Sequence, residues 1–461
     1  MNVSPLNNAS SQIIDYIHDL KWSDIPEHVK HQATRCLLDT VGVFYGGTYT
    51  ELSKIIYDFA AVAYGGSQAK LWLDGRSVSL PGAALAHGMT IDALDLHDSC
   101  KEVKGHVGVA VVPVMIDSIG LLSDGSMGGD ITGEEFMTSL VMSYDIATRA
   151  GMALHGTAAD YHTSGAWSAL ACTAILARRM GLTHEQTRHA LGIAEYHGPR
   201  SQMMRCIDYP TMLKDGSGYG AMAGVSAAMM AAGGFTGAPA ITVEGEDVAH
   251  YWDSLGSDWM LDLQCFKKYA VCYWAQASVD GALKIQQEHD LAIDQIERIN
   301  IGTFHNAVRL AVRRPKDTEK AQYALPYPVA AALSYGRLDW NELSGETLNN
   351  EAVLQLADRI NLFEEKECDD AFPRERRAKV SIETKDGRHL HAGTTYAPWQ
   401  PHSPPTDDEL LEKFRNLAND RVGPEAAQQM EDVCWHMHNI ESASVIQNLL
   451  TSQTYEVFKT S

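Results

Sequence analysis

The stretch Ala378-Lys-Val-Ser-Ile-Glu-Thr-Lys-Asp-Gly-Arg-His-Leu-His-Ala392 predicts a β-hairpin in a chain whose other patterns are mainly helical. Apolar and polar residues alternate on both sides of Asp386-Gly387, and an Asp-Gly turn between two alternating segments is typical of a hairpin. Residues 296–301 fit a strand more loosely, and segments near 318–335 and 347–359 have helical spacing. This part of the chain is therefore predicted to form an α+β unit.

The chain before this unit is predicted to be helical. One helix starts at Pro26-Glu27, with proline in the first turn and an acid near the positive end of the helix dipole, and it stops at Gly46-Gly47. The segments 165–180 and 221–232 are rich in Ala, Gly and Ser, which suits helices that pack closely together. Asp74-Gly75 is predicted to turn a short hairpin that begins at Lys70-Leu-Trp-Leu.

Three helix starts are predicted from capping boxes, in which a hydroxyl and an acid or amide satisfy backbone N–H groups at the helix end. They are Thr132-Gly-Glu-Glu135, Thr183-His-Glu-Gln186 and Thr406-Asp-Asp-Glu409. The last one follows a proline-rich stretch from Pro398 to Pro405. The patterns together predict a mainly α fold: a helical body of residues 1–268, an α+β insert of residues 269–404, and a helical return of residues 405–461.

The charge balance indicates what the protein does not bind. The 461 residues include 59 acidic and 37 basic side chains, a formal net charge of -22. Nucleic acids and anionic membranes both require a basic face, so neither is predicted as a partner. A small anion remains possible as a ligand, because a local cluster of lysines can outweigh a distant negative surface that salt screens.

The cysteines and the N-terminus predict a soluble cytoplasmic protein. Eight scattered cysteines without a CxxC motif are typical of a reducing compartment, and the first residues have neither the basic start nor the apolar stretch of a signal peptide. Metal and dinucleotide patterns are weak: His184 and His189 are five apart rather than four, and Gly216–Gly220 lacks a preceding strand. No metal site is predicted.

The chemistry is predicted to centre on the stretch from Asp95 to His106, Asp-Leu-His-Asp-Ser-Cys-Lys-Glu-Val-Lys-Gly-His. It contains carboxylates, two histidines, a hydroxyl and two lysines, and an apolar run follows at once. Partial burial and close neighbours move the pKa values of such groups toward neutrality, as proton transfer requires. A surface loop whose acids cap the next helix is an equally good interpretation of this stretch alone.

Three lysines lie among apolar neighbours, where an ammonium group is costly unless it meets an anion. They are Lys214, in Tyr-Pro-Thr-Met-Leu-Lys-Asp-Gly, and the pair Lys267-Lys268, in Cys-Phe-Lys-Lys-Tyr. Each of them can instead bury its stem and keep its amine in water. His162 and Tyr327 are ambiguous in the same way, so none of these residues identifies a site by itself.

Several separated motifs nevertheless form one recognisable set. They are Ile25-Pro-Glu-His-Val with Cys36-Leu-Leu-Asp-Thr-Val-Gly; Asp95-Leu-His-Asp-Ser99 with His106-Val-Gly; Met212-Leu-Lys-Asp, Gly220-Ala-Met-Ala-Gly-Val-Ser-Ala-Ala and Gly234-Phe-Thr-Gly-Ala-Pro; Phe266-Lys-Lys-Tyr; Ala321-Gln-Tyr-Ala-Leu-Pro-Tyr-Pro-Val-Ala; and Thr406-Asp-Asp-Glu-Leu with Lys413-Phe. On these motifs the chain resembles the MmgE/PrpD family along nearly its whole length.

The resemblance implies a homodimer with a large all-helical domain built from both chain ends and a smaller α+β domain between them. It also implies enzymes that act on small anionic polycarboxylates without a metal or an organic cofactor, such as 2-methylcitrate dehydratase, cis-aconitate decarboxylase and iminodisuccinate epimerase. The family's active-site positions fall on Asp95, Ser99, His106, His162, Lys214, Lys267 and Tyr327.

The residue types suggest a role for each position. His106 is predicted to be the general acid or base, oriented by Asp95, because imidazole both takes and gives protons near neutral pH. Lys214 and Lys267 would stabilise the negative charge that develops beside a carboxylate. His162 and Tyr327 would position the substrate or protonate a leaving hydroxyl. Three further residues are predicted to bind the substrate: Ser99, His97 and Lys268.

Three departures from the family pattern border this predicted site and leave the substrate open. His97 stands where an Asp is usual, Val107 replaces a proline and Ser99 replaces a threonine. The leading hypothesis is a hydro-lyase that dehydrates a 2-hydroxy tricarboxylate such as 2-methylcitrate. The alternatives are a decarboxylase or an epimerase with the same site, a non-catalytic carboxylate-binding protein, and a metal-dependent hydratase.

Overall fold

The computed structural model describes the backbone of residues 8–451 and the side chains of residues 11–451. Residues 1–7 lie outside the described residues, and so does the part of the chain on which the signal-peptide prediction rests. Residues 452–461, the end of the predicted helical return, lie outside them as well.

The first part of the chain is mainly helical. Its helices are α1 (Asn8–Asp19), α2 (Glu27–Gly47), α3 (Glu51–Ala63), α4 (Leu80–Asp92), α5 (Gly108–Asp117), α6 (Gly133–Thr157), α7 (Gly165–Met180), α8 (His184–His197), α9 (Met203–Asp208), α10 (Ser217–Ala232) and α11 (Ile241–Glu244). Two short antiparallel ladders join distant segments, namely β1 (Gly65–Lys70) with β2 (Ser77–Val78), and β3 (Ser99–Cys100) with β4 (Gln264–Cys265).

Helix α2 confirms the predicted start and stop. Pro26 is its N-cap, and the helix ends at Gly47. Nearly every residue from Ala33 to Gly47 is buried, so this helix lies inside the helical body rather than on its surface. The hairpin predicted at Asp74-Gly75 is also present, but its first strand ends at Lys70, and Leu71 to Leu73 lie in the turn region instead of the strand.

The Ala- and Gly-rich segments form two closely packed helices, as predicted. A Cβ atom added at Gly224 of α10 would lie 2.4 Å from the carbonyl oxygen of Ala169 in α7, and one at Gly220 would lie 2.5 Å from that of Gly165. Only glycine fits at such distances. The small residues therefore let the two backbones touch.

Two of the three predicted capping boxes are complete, at Thr183 and Thr406. At Thr132 only half of the box forms: the hydroxyl accepts from the backbone N–H of Glu135. The Glu135 carboxylate instead accepts two hydrogen bonds from Arg178, at 2.7 and 2.8 Å. A tertiary ion pair has thus replaced the local contact.

The apolar run that starts near residue 107 forms α5, which is buried throughout its length. Within the described residues, no helix combines the length and the apolar character needed to cross a membrane.

The second part of the chain combines helices and a sheet, as predicted. Its helices are α12 (Gln276–His289), α13 (His305–Val308), α14 (Thr318–Gln322), α15 (Pro326–Tyr335), α16 (Glu351–Asp358) and α17 (Lys366–Ala371). Its strands are β5 (Ile296–Thr303), β6 (Ile360–Glu364), β7 (Arg377–Thr384) and β8 (His389–Tyr396), in the order β6-β5-β7-β8. Strands β5 and β6 are parallel and the other pairs are antiparallel.

The predicted hairpin is β7 and β8, which turn at Asp386-Gly387. Buried and less buried residues alternate along β7, so one face of the strand packs on the core. Helix α12 covers that face: a Cβ atom at Gly281 would lie 3.0 Å from the side chain of Val380.

The end of the described chain returns to the helical body. Its helices are α18 (Asp407–Val422), α19 (Pro424–Trp435) and α20 (Ser444–Thr451). Phe414 of α18 packs on Gly42 of α2, and Lys413 pairs with the buried Asp39 at 2.6 Å. The chain is thus mainly α, with an α+β part inserted between helical segments. The domain boundaries after residues 268 and 404 stay predictions.

Candidate active site

The segment between α4 and α5 is buried, which decides between the two interpretations of the Asp95–His106 stretch. Asp95, His97, Asp98, Ser99 and His106 are all at most 5% exposed. The surface-loop interpretation is therefore wrong for these side chains. Their burial brings acid and base groups together in a medium where each affects the others strongly.

The short ladder of β3 with β4 places a lysine beside this segment. Ser99 pairs with Cys265, and two residues later the chain reaches Lys267. The Lys267 ammonium group donates to the backbone oxygen of Asp95 at 2.8 Å and to its Oδ1 atom. Burial tends to raise the pKa of Asp95, but the charges of Lys267 and His106 lower it below its ordinary value. Asp95 is thus held as an anion.

His106 is oriented by a backbone carbonyl. Its Nδ1 atom lies 2.6 Å from the oxygen of Asp98, which can only accept, so the proton sits on Nδ1. Its Nε2 atom lies 3.1 Å from Oδ2 of Asp215 and 3.8 Å from Oδ1 of Asp95. Nε2 is therefore the atom of His106 that can exchange a proton with a ligand.

The charges around His106 favour the imidazolium form. Burial and the Lys267 charge lower the pKa of His106, but the hydrogen bond to Asp215 and the charges of Asp215 and Asp95 outweigh them. The pKa of His106 is raised as a net result. A protonated histidine beside a cavity is a suitable proton donor near neutral pH.

Asp98 is held by hydrogen bonds to two other parts of the helical body. Its carboxylate accepts from the Tyr144 hydroxyl at 2.6 Å and from the backbone N–H of Gly108 at 3.2 Å. Burial raises the pKa of Asp98 to about 6. A Cβ atom at Gly108 would lie 2.6 Å from the Tyr144 hydroxyl and 2.5 Å from that of Thr40, so this approach requires glycine.

Lys214 and Asp215 bring a third segment to the site. The Lys214 ammonium group donates to Oε1 of Gln322 and lies 5.2 Å from the ring centre of Tyr323. Asp215 also accepts from the Ser164 hydroxyl at 3.3 Å. Lys214 does not line the cavity, whereas Asp215 contacts His106 directly.

Asp95, Lys104 and Lys214 share an unusual backbone conformation. Their φ angles are 50°, 50° and 49°, in the left-handed region that disfavours residues other than glycine. Such a conformation costs about 1–3 kcal/mol and persists only where the surroundings hold it. Two of the three, Asp95 and Lys104, line the cavity, and strain of this kind is typical of a functional site.

His97, which departs from the family pattern, packs against His106. Their ring centres are 4.3 Å apart in an edge-on arrangement, and Nε2 of His97 lies 3.2 Å from Oδ1 of Asp92. Burial and the charges of His106 and Lys267 hold the pKa of His97 well below its ordinary value. His97 is thus a neutral neighbour of His106 and lies outside the cavity wall.

Some of these groups lie at the wall of one cavity. Four of the predicted residues line it: Asp95, Ser99, His106 and Lys267. The other side chains of its wall come from both parts of the chain, and they are Cys100, Lys101, Lys104, Tyr161, Met203, Ile207, Cys272, Tyr273, Trp274, Tyr323, Phe372 and Arg376.

Besides Lys214 and His97, three further predicted residues do not line this cavity. The Tyr327 hydroxyl donates to the backbone oxygens of Glu342 and Thr347, at 3.2 and 3.0 Å. The side chain of Lys268 is 41% exposed and lies 3.5 Å from Asp280. The His162 backbone N–H donates to Nε2 of His155. The roles predicted for these residues remain predictions.

Sequence reasoning missed several residues that lie beside predicted ones: Asp215 contacts His106, and Tyr161 and Tyr323 line the cavity. Asp215 follows Lys214, and Tyr161 precedes His162. Tyr323 lies in the same motif as Tyr327, four residues earlier. The motifs contained the signal, but the residue within each motif that faces the cavity depends on the packing. Arg376 lies in none of the motifs.

Within residues 11–451, no group of three or more His, Cys, Asp or Glu side chains is arranged to hold a metal ion.

Comparison with known proteins identifies the family. The model of the MmgE/PrpD N-terminal domain matches residues 11–259, and that of the MmgE/PrpD C-terminal domain matches residues 269–437. The chain belongs to the MmgE/PrpD family. This MmgE/PrpD protein is similar along almost its whole length to relatives from fungi and mammals.

Three relatives illustrate the similarity. The cis-aconitate decarboxylase-like protein oryM of Aspergillus oryzae is 23% identical, with 97% of each chain covered. The cis-aconitate decarboxylase of Mus musculus is 22% identical, with 96% of this chain and 94% of the relative covered. The cis-aconitate decarboxylase of Homo sapiens is 23% identical, with 96% and 95% covered.

Proposed function

We propose that this protein is a lyase that acts on a small polycarboxylate by moving a proton at a carbon atom beside a carboxylate. The observation that carries the proposal is the contact of His106 with Asp215, next to the Asp95–Lys267 pair at the wall of one cavity. A proton donor with a raised pKa and a nearby ammonium group are the two elements that such chemistry requires.

The similar proteins favour decarboxylation of cis-aconitate as the reaction to test first, since all three carry that name or a likeness to it. In that reaction the bond from carbon to the leaving carboxylate breaks, and carbon dioxide departs. The electron pair moves through the double bond toward a second carboxylate. A proton from Nε2 of His106 would then be added to the carbon atom beside that second carboxylate, which leaves the imidazole neutral.

The charges around His106 support this step. As negative charge moves toward the second carboxylate, the Lys267 ammonium group stabilises it, and a low dielectric strengthens that interaction. Asp95 holds Lys267 in place, and Asp215 keeps His106 protonated before the reaction. The proton then comes from one atom of defined direction, because Nδ1 is occupied by the Asp98 carbonyl.

Dehydration of a 2-hydroxy tricarboxylate such as 2-methylcitrate is the second candidate. It requires a base for the C–H proton and an acid for the leaving hydroxyl, which departs as water. The Asp95 carboxylate would take the C–H proton, and Nε2 of His106, at the wall of the same cavity, would protonate the leaving hydroxyl. The two reactions use one site and differ in the group that leaves.

The deciding experiment incubates the purified protein separately with cis-aconitate, citrate and 2-methylcitrate. Released carbon dioxide identifies a decarboxylase, and a rise in alkene absorbance from citrate or 2-methylcitrate identifies a dehydratase. His106→Gln should abolish either signal while binding of the unreactive tricarboxylate tricarballylate persists. Turnover that requires added metal would instead support a metal-dependent hydratase.

The absence of turnover would separate two other outcomes. If the protein binds tricarballylate but converts none of the three acids, it is a carboxylate-binding protein and not a lyase. If it neither binds nor converts any of them, the substrate class proposed here is wrong.

We also propose that the protein is a homodimer, as the family resemblance implies. Light scattering coupled to size-exclusion chromatography tests this directly: a mass near twice 50.5 kDa supports the dimer, and a mass near 50.5 kDa contradicts it.

A further inference from the structure

Two cations at the outer end of the cavity differ from the lysine deep in the site. Lys104 and Arg376 line the inner cavity, and both also line an outer cleft that continues from it. Lys267 has the carboxylate of Asp95 as its partner. In the part of the chain that the structure describes, neither Lys104 nor Arg376 lies within salt-bridge distance of a carboxylate.

Arg376 is buried with part of its hydrogen-bonding capacity unused. It is 6% exposed, and its guanidinium group lies over the rings of Tyr273 and Phe372, at 5.3 and 5.7 Å from their centres. Nη1 donates to the backbone oxygen of Pro373 at 2.8 Å, but Nε is buried and makes no hydrogen bond within residues 11–451. A buried charged donor without an acceptor is costly, so a binding partner for it would be stabilising.

Lys104 approaches the same region from the helical part. It lies on the segment before α5 in a left-handed backbone conformation, with its ammonium group 5.0 Å from the ring centre of Tyr161. Burial and the charge of Arg376 lower the pKa of Lys104, so the two cations are close enough to repel each other. An anion between them would replace this repulsion with attraction.

The carboxylates nearest in sequence have other partners. Glu102 lies 3.7 Å from Lys101 and accepts from the Cys100 thiol. Glu375 pairs with Arg377. Neither acid forms an ion pair with Lys104 or Arg376, which leaves these two cations available for a ligand.

We propose that Lys104 and Arg376 form a second carboxylate-binding subsite, which holds a carboxylate of the substrate away from the reacting carbon. This inference rests on the proposed function, because it assigns the remaining charge of the same polycarboxylate. Lys104 belongs to the helical part and Arg376 immediately precedes β7 of the α+β part, so one bound carboxylate would join the two parts. The subsite would select di- and tricarboxylates over monocarboxylates.

The test measures the affinity for tricarballylate by isothermal titration calorimetry. Arg376→Gln is expected to raise Kd about tenfold or more, as expected for the loss of a hydrogen bond to a charged group, and Lys104→Met is expected to raise it in the same direction. The matched control is Arg388→Gln, which removes an exposed cation that lines neither the cavity nor the outer cleft and should change Kd less than about twofold.

A second measurement uses the wild-type protein, so it does not depend on whether a variant folds. Phenylglyoxal, which modifies arginine, is applied to the wild-type protein with and without tricarballylate, and the modified sites are quantified by mass spectrometry. Protection of Arg376 without protection of the exposed Arg388 supports the subsite. Equal modification of Arg376 in both samples, or wild-type affinity in Arg376→Gln, would overturn it.

These binding measurements separate the two proposals. If Arg376→Gln weakens tricarballylate binding but wild-type protein converts none of the acids, only the lyase proposal fails. If the wild-type protein converts cis-aconitate and Arg376→Gln has unchanged KM and Kd, only the subsite fails.

Discussion

The Nε2 atom of His106 lies 3.1 Å from Oδ2 of Asp215, and both side chains are buried. This contact raises the pKa of an imidazole that burial and Lys267 would otherwise lower. The protonated form of His106 is therefore maintained by a residue from a different segment of the chain. It is the contact on which the proposed proton transfer depends most.

Asp215→Asn is expected to shift the pH dependence of the reaction. Activity that needs protonated His106 is present below its pKa and is lost as pH rises through it. Because Asp215 raises that pKa, the amide should move the loss of kcat/KM to lower pH than in the wild-type protein. The measurement is a pH–rate profile of both proteins.

An exposed aspartate provides the control for this variant. Asp253 lies at the surface, so Asp253→Asn should leave the pH–rate profile unchanged. An alkaline limb that stays in place in Asp215→Asn would show that Asp215 does not set the protonation of His106.

Adjacent lysines are expected to behave differently. Lys267→Met leaves the Asp95 carboxylate buried without its cation, which costs about 3–5 kcal/mol of unfolding free energy. It should also lower kcat at least a hundredfold, since removing one electrostatic stabiliser of a transition state costs about 10²–10³. Lys268→Met, whose side chain is 41% exposed, should change stability by less than about 0.5 kcal/mol. Urea unfolding and steady-state kinetics measure both effects. Equal losses of stability and kcat in the two variants would contradict the buried position of Lys267 beside Asp95.

Asp98 is expected to make the free energy of unfolding depend on pH. The native protein holds a proton on Asp98 up to about pH 6, whereas the unfolded chain releases it near the ordinary value of about 4. The free energy of unfolding therefore falls as pH rises through this window. The contribution is on the order of 3 kcal/mol for a shift of about two pKa units.

Asp98→Asn should remove that contribution, because an amide does not titrate. Urea unfolding near pH 4 and near pH 7 should show a smaller difference between the two conditions in the variant than in the wild-type protein. Asp253→Asn serves again as the exposed control. An unchanged pH dependence in Asp98→Asn would mean that the pKa of Asp98 is the same in the native and the unfolded protein.

Two tyrosines of one motif are expected to separate structure from activity. The Tyr327 hydroxyl bonds backbone oxygens, so Tyr327→Phe should lower stability by about 1 kcal/mol and leave kcat nearly unchanged. Tyr323→Phe alters the cavity wall and should affect kcat or KM more than stability. If Tyr327→Phe instead lowers kcat and Tyr323→Phe does not, the result would support the catalytic role that the sequence predicts for Tyr327.

Much of the fold was predictable because its signals are local. The hairpin at Asp386-Gly387, the limits of α2 and the capping boxes at Thr183 and Thr406 depend on neighbours a few residues apart. The capping box predicted at Thr132 is incomplete, because the Glu135 carboxylate accepts hydrogen bonds from Arg178. A local pattern thus failed where a distant residue offered a stronger partner.

The site was predictable as a set of segments and less so as a set of atoms. Asp95, Ser99, His106 and Lys267 line the cavity, as expected for residues that were predicted to converge. Lys214 was predicted where its neighbour Asp215 makes the direct contact with His106. Adjacent residues point in different directions, so the motif alone does not say which of two neighbours faces the ligand.

The sequence by itself determined the mainly α architecture with its α+β insert, the family, and the segments that supply acid, base and cation. These follow from periodicity, turn residues and motif composition, which short stretches of chain contain. Only the tertiary structure decided the direction in which the pKa of His106 moves, the pairing of Lys267 with Asp95 and the position of Arg376, which has no carboxylate partner among residues 11–451. Each of these depends on burial and on charges that folding brings together from distant segments, and no local pattern encodes such distances.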